Sequence, residues 1–310
     1  GKGIKPPEFS VYFGAIKHIE INQGVFVISL HDGTTITSQD NANDLRATLQ
    51  IKSPEGEERS FDLDELKKVT FNPAPNNAKT WGDGIYGTLS TDLGHFQGRI
   101  MWDKDERLGF EELDGQQNQK EYAIKFADIL SIEKNNKAST VVLRDGKTLT
   151  LTGTNDVNMS NRGIWLDHPD LGRVEINWQQ FQKLVIEPVE VNWLTFHDYA
   201  NNTRPLAGTV TLKNGQKIKA DQMAFDLNQQ SNAELITIKS NNHQRQIPLR
   251  LIKKMVIIND LSTTLSLHDG STLQAYGSHS VNHDNNGILI TSNNQHQWLK
   301  WKDIQTIEFD

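Results

Sequence analysis

Leu30-His31-Asp32-Gly33, Leu143-Arg144-Asp145-Gly146, Leu212-Lys213-Asn214-Gly215 and Leu267-His268-Asp269-Gly270 are copies of one phrase. Each lies between two runs of alternating apolar residues. An Asp-Gly or Asn-Gly pair so placed is a strong signal for a tight β-hairpin, and it predicts a type I′ turn with positive φ at both central residues. Alternation on either side gives each strand one face to bury. The chain therefore reads as all-β, built by repeating a hairpin.

A second phrase follows each hairpin. Its copies are Phe61–Phe71, Val174–Ile186, Ile247–Ile257 and Trp298–Phe309, with a fifth at Tyr122–Glu133. Each predicts a strand, a single helical or 3₁₀ turn, and another strand. The hairpin belonging to the fifth copy is the looser Asp92-Leu93-Gly94. Five units result, at 10–73, 84–134, 138–189, 205–258 and 260–310. They also pair. Gly153, Val157, Asn158 and Gly163-Ile164 match Gly277, Val281, Asn282 and Gly287-Ile288, and Gly87-Thr88-Leu89 matches Gly208-Thr209-Val210. The expected organisation is an N-terminal unit (1–75), a linker (76–83), a two-unit module (84–189), a linker (190–204) and a second copy of the module (205–310).

This pattern of strand, tight turn, strand, variable loop, strand, short turn and closing strand resembles the SH3-like or Sm-like small barrel. The resemblance covers most of residues 10–310 and implies a tandem array of about five such barrels, with a duplicated two-barrel module. Sm-like barrels bind RNA, and Asp221–Asp226 and Arg162-Gly163-Ile164 are the segments nearest to their RNA-reading phrases. SH3-like repeats also occur in bacterial envelope proteins, and the phrases around Leu143–Gly146 and Gly153–Asn158 are similar to those.

The composition narrows the function classes. Net charge is −7 over 310 residues, so the chain has no overall attraction for phosphate backbones, which disfavours nucleic acid. No apolar run approaches the roughly 20 residues that span a bilayer. Gly1-Lys2-Gly3 reads as a trimmed end, compatible with a removed signal peptide. There is no cysteine, which excludes disulfides, thiolate metal sites and cysteine nucleophiles. A periplasmic or secreted protein is expected, with a cytoplasmic one as the alternative.

The strongest local chemistry is acidic. Asp103, Asp105, Glu106, Glu111, Glu112 and Asp114 follow the strand Gly98–Trp102, and Asn155, Asp156 and Asn158 lie in the loop after the next hairpin. If the two units pack together, these loops meet. Carboxylates, amides and backbone carbonyls are the oxygen ligands of calcium. The candidate metal site is therefore Asp103, Asp105, Glu106, Asp114, Asn155, Asp156 and Asn158, set against a solvated charged loop. The segment Ala224–Ser231 carries no such acidic run, so the site is expected once. His279, His283 and Asp284 offer a weaker zinc or copper set. Trp178 and Trp301 hold equivalent places and are expected to fill cores, whereas Trp81 and Trp193 fall in linkers. Serine-hydrolase, zinc-protease and P-loop signatures are absent. The reading is a non-catalytic binding or scaffold protein of the bacterial envelope, with calcium as a candidate ligand and another protein or a polymer as partner. A carboxylate-dependent glycan-active enzyme and RNA binding are the alternatives.

Overall fold

The computed structural model describes residues 9–22, 24–39, 48–53, 55–75, 78 and 82–310. Strand accounts for 56% and helix for 9%, so the fold is all-β. Of the linker expected at 76–83, residues 76, 77 and 79–81, with Trp81, lie outside the described residues, as does Gly1-Lys2-Gly3. The N-terminal segment holds β1 (Ile16–Asn22), β2 (Val25–Leu30), β3 (Thr35–Gln39), β4 (Thr48–Lys52), β5 (Glu58–Asp62) and β6 (Lys68–Thr70). The first module opens with β7 (Tyr86–Thr91), β8 (Gly94–Met101), β9 (Glu112–Gln117), β10 (Lys120–Lys125) and β11 (Ile129–Asn135). It continues with β12 (Ala138–Leu143), β13 (Thr148–Leu151), β14 (Ile164–His168), β15 (Gly172–Ile176) and β16 (Phe181–Ile186). A short helix, α1 (Phe196–Asn202), is followed by β17 (Gly208–Leu212), β18 (Lys217–Ala220), β19 (Gln222–Phe225), β20 (Leu235–Ser240), β21 (His243–Pro248) and β22 (Ile252–Asn259). The last strands are β23 (Ser262–Leu267), β24 (Thr272–Tyr276), β25 (Ile288–Ser292), β26 (Gln295–Leu299) and β27 (Ile304–Phe309).

The four repeated turns lie where the sequence places them, but they are not type I′. Only their glycines have positive φ, 87° or 88° in all four, and each glycine N–H donates to the carbonyl of the phrase's leucine. This is the longer hairpin loop that ends on a left-handed glycine. The acidic or amide side chain has a different task. Oδ1 of Asp32, Asp145, Asn214 and Asp269 accepts the N–H two residues on, at 2.8 to 2.9 Å, which closes an Asx turn. Paired positive φ occurs elsewhere, at Asn118-Gln119, Asn241-Asn242 and Asn293-Asn294. The expected 3₁₀ turn precedes the closing strand at Leu63–Glu65, Phe126–Asp128, Leu249–Leu251 and Trp301–Asp303.

The strands sort into two compact units, one of residues 1–79, 194–236 and 248–310, the other of 80–193 and 237–247. In the second of these, the strand order runs β13-β12-β11-β16-β7-β8-β14-β15-β21-β20, and β9 and β10 form a separate hairpin. In the other unit the sheets are β3-β2-β1-β6, β24-β23-β22-β27-β17-β18, β19-β25-β26 and β4-β5. One four-strand order thus recurs three times: β3-β2-β1-β6, β13-β12-β11-β16 and β24-β23-β22-β27. The copies share a defect as well. The register slips between Ile16 and His18, between Ile129 and Ser131, and between Ile252 and Lys254. A bulge at that point bends the strand as it leaves the 3₁₀ turn. The unit limits expected at 134/138 and 258/260 cut the hairpins β11–β12 and β22–β23, so the repeating element starts one strand earlier.

No sheet closes into a barrel among the described residues. The reason lies in the pairing. β14 does not return to β13 but pairs with β8, Leu166 opposite Ile100. β16 pairs with both β11 and β7. β25 likewise pairs with β19, and β27 with both β22 and β17. Neighbouring repeats therefore share strands, and the module rather than the single repeat is the element that buries a core. That core in residues 80–193 centres on Trp102, fully buried, whose ring meets Phe181 edge-on at 5.2 Å and Trp178 at 6.0 Å. Trp178 and Trp301 are both buried, as expected. The N-terminal repeat packs Ile19, Phe26, Ile28 and Leu30 into a core that also takes in Ala233.

Strand sharing demands close approach. A Cβ on Gly87 would lie 2.1 Å from the Val185 carbonyl oxygen, and one on Gly208 2.1 Å from that of Glu308. Both oxygens are backbone inside a ladder and cannot turn aside. Gly87→Ala is expected to lower the unfolding free energy by about 2 to 4 kcal/mol, read as a fall in the urea midpoint. An unchanged midpoint would show that β7 and β16 are not paired as described.

Candidate functional site

The acidic loop of the first module forms where β8 ends. Trp102 donates its backbone N–H to Glu106 O at 2.7 Å across a tight turn, in which Asp103 and Lys104 take φ of 47° and 58°. The turn directs the Asp103 carboxylate inward, under the loop Asn155–Val157, and leaves it with no exposure. There it accepts the Arg162 backbone N–H, Arg162 Nε at 3.0 Å and Asn155 Nδ2 at 2.5 Å. The Arg162 guanidinium also reaches Asp105 at 3.2 Å, and the two carboxylates raise its proton affinity further. Beside them, Asp156 Oδ2 accepts the Asp114 N–H at 2.8 Å, while its backbone oxygen accepts Trp102 Nε1–H at 3.0 Å. Burial pushes the Asp156 carboxyl up, against the pull of that Asp114 N–H.

The two loops do meet, as the sequence suggests, but they bind each other. Asp103 and Asp105 converge on Arg162, Asn155 donates to Asp103, Asp156 accepts from the Asp114 backbone, and Asn158 closes its own turn through Ser160 N–H. The Asp114 side chain is exposed. Among the described residues, no group of three or more histidine or acidic side chains is arranged to hold a metal. The donor set explains this: a cation at Asp103 has to displace a guanidinium. Millimolar calcium is therefore expected to leave the melting temperature unchanged. A rise of several degrees that Asp103→Asn abolishes would make the loop a calcium site instead.

The second module builds the same latch from different residues. Asp226, 123 positions after Asp103, has φ of 51° and follows the same tight turn, with Phe225 N–H donating to Gln229 O at 2.8 Å. Its buried carboxylate accepts Asn286 N–H at 2.7 Å and Asn286 Nδ2 at 3.1 Å, and lies 2.9 Å from His279 Nε2. Arg162 and Asn155 thus have Asn286 and His279 as counterparts. His279 does not join His283 and Asp284. It faces Asp226, whereas His283 lies 3.5 Å from Asp284 and 3.1 Å from Asp260 O. Asp226 is missed when acidic runs are sought; the signal that finds it is its spacing from Asp103.

Glu106 is the titrating member. Burial, reinforced by Asp156, Asp105 and Asp103, pushes its carboxyl up to about 7. Its counterpart is Gln229, a neutral residue of the same shape. The folded carboxyl keeps its proton up to about pH 7, while the unfolded one loses it near 4.5. Stability therefore falls as pH rises through that window. Glu106→Gln is expected to match the wild type below pH 4.5 and to exceed it above pH 7. The gain is expected to be about 1 kcal/mol, reduced by partial exposure. Urea unfolding at both ends of the window measures it, and equal stabilities above pH 7 would refute the raised carboxyl.

A different feature lies in the same sheet, where β15 meets β21. The hairpin Thr237–Ile247 belongs by sequence to the second module, yet it is part of the unit with residues 80–193. β21 adds antiparallel to β15, with Arg173 opposite Gln246, Val174 opposite Arg245 and Glu175 opposite Gln244. Gln244 Nε2 donates to Glu175 Oε2 at 2.9 Å. His243 and Arg245 are buried by this joint against Phe96, edge-on at 5.2 Å and 5.8 Å from the ring centre respectively. Burial first, and Arg245 second, pull the His243 proton affinity down. The equivalents of β15 and β21 are β26 and β10, and among the described residues each has a strand on one side only. Two-residue turns at Asn293-Asn294 and Asn118-Gln119 close the two hairpins. Residues next to such turns form the hydrogen-bonded pair, so the N–H groups of His296 and Trp298, and of Glu121 and Ala123, face outward from the free edges.

No protein-family model, curated protein or solved structure matches this chain.

Proposed function

We propose that this chain is a non-catalytic scaffold whose sheet edges bind extended polypeptide by strand addition. The joint between β15 and β21 carries the reading: a hairpin from elsewhere in the sequence is seated on an edge strand through backbone pairing and a few side-chain contacts. Strand addition takes its affinity from main-chain hydrogen bonds and its specificity from alternate side chains. The free edges of β10 and β26 offer the same chemistry. The partner class that fits is protein, since an edge of N–H and C=O groups is complementary to another backbone. The recurring four-strand order supports a tandem array of small SH3-like repeats that share strands. A periplasmic or secreted setting goes with this reading, and a chain without cysteine suits that compartment and the cytoplasm alike. Glu106 and Glu234 are the two carboxyls pushed up to about 7; a non-catalytic role is supported because the counterpart of Glu106 is Gln229, which cannot titrate, and Glu234 is taken up by the Gln230 and Ser231 N–H groups.

Random peptides displayed on phage and panned against the chain test this reading. Proline at position 296 or 123 removes one outward N–H and leaves the inner ladder intact. Enriched peptides are expected to alternate apolar and polar residues and to lose binding to the His296→Pro and Ala123→Pro variants. Peptides that bind these variants as well as the wild type would place recognition on another surface.

A further inference from the structure

The joint inside residues 80–247 is a template for one that the chain leaves unmade. β15 occupies the last place in β8-β14-β15, and β26 the last place in β19-β25-β26. The match extends to register: Trp165 faces Glu175 across β14–β15 as Leu289 faces Trp298 across β25–β26. β21 pairs with β20 as β10 pairs with β9, each hairpin closed by a two-residue turn with positive φ at both residues. So the strand that receives in the template has an unpaired equivalent in β26, and the strand that is received has one in β10.

We propose that β26 of one copy of this chain adds antiparallel to β10 of another, joining copies head to tail. The proposal rests on the strand-addition reading above and names its partner. Transferring the template register puts His296 opposite Ala123, Gln297 opposite Tyr122 and Trp298 opposite Glu121. The outward N–H groups then meet in the right phase, because His296, Trp298, Glu121 and Ala123 are the residues whose N–H groups leave the inner ladders. The side chains favour an occupant too. Trp298 is 55% exposed and Leu289, its cross-strand neighbour, is 39% exposed, which sets an apolar pair beside the free edge. A partly buried tryptophan at an edge is the kind of residue that anchors interfaces. β5 is the equivalent of β10 and β26 in the N-terminal repeat, since it too leads into the 3₁₀ turn, but it belongs to the two-stranded sheet β4-β5 and lacks the third strand that β8 and β19 supply in the modules. The contact is heterologous, with each copy offering one edge of each kind, so it extends into rings or filaments rather than stopping at a dimer.

Because the chain has no cysteine, crosslinking reads the register directly. Ala123→Cys copies are mixed with His296→Cys copies at about 0.1 mM, where a weak contact of this kind is populated, and treated with a short bis-maleimide. A covalent dimer that forms only in the mixture is expected. A chain carrying both substitutions is expected to give a ladder of multimers. Adding Trp298→Pro to the His296→Cys copies should abolish the product. Dimers from His296→Cys alone would mean that β26 pairs with itself, and an internally linked monomer from the double variant would mean that both edges meet within one chain. Crosslinking of Arg59→Cys to Ala123→Cys in place of His296→Cys would give the β10 edge to β5. Any of these results, or no crosslink at all, overturns the proposal. If peptides still bind the edges while copies fail to crosslink, only the partner is wrong. If neither occurs, the strand-addition reading falls as well.

Discussion

The pairing of β14 with β8 and of β16 with β7 is the constraint on which the first module depends. Each ladder ties a strand to one far away in the sequence, so neither repeat has a complete sheet until both are present. β25 with β19 and β27 with β17 impose the same condition on the second module. The glycines at 87 and 208 exist for this purpose: a methyl group at either would strike a carbonyl of the neighbouring strand. Pairing between distant segments orders a long loop before it gains contacts, so such a module forms slowly compared with a local hairpin.

Once the ladders are in place, the ends of β8 and β19 are fixed, and each continues into a tight turn with a buried aspartate. A buried carboxylate is tolerated only when its lone pairs are occupied. The first module meets that demand with a guanidinium and an amide, the second with an asparagine and a histidine. Geometry is preserved while the chemistry differs. That is the signature of a structural requirement: what recurs is the acceptor position, and the donors have been free to change around it.

Much of this was legible in the sequence. The alternation flanking Asp32-Gly33 and its copies gave strand positions, and the match of Gly153–Gly163 to Gly277–Gly287 gave the duplication. The turn type was misjudged because Asp-Gly serves two loop designs equally well, and the side-chain bond from Asp32 Oδ1 to Thr34 N–H that selects one of them is not visible as a pattern. Strand partners were not legible either. An alternating strand such as Ile164–His168 has two similar edges, and nothing in its own residues says whether it returns to β13 or crosses to β8. The density of acidic residues in the first module draws attention away from Arg162, which binds Asp103 and Asp105, and from the solitary Asp226. The joint between β15 and β21 had no signal at all, since Arg245 and His243 look like solvent-facing residues on an edge.

That joint has a consequence for how the gene can change length. Each module presents one receiving edge and one entering edge, and the internal joint shows the two to be compatible within a single chain. A block of about 123 residues that is duplicated or lost whole therefore leaves no strand edge mismatched. Growth by recombination needs no new interface to be invented. The family to which such a chain gives rise should vary in steps of one module, while the length of the module itself is held by the ladders within it.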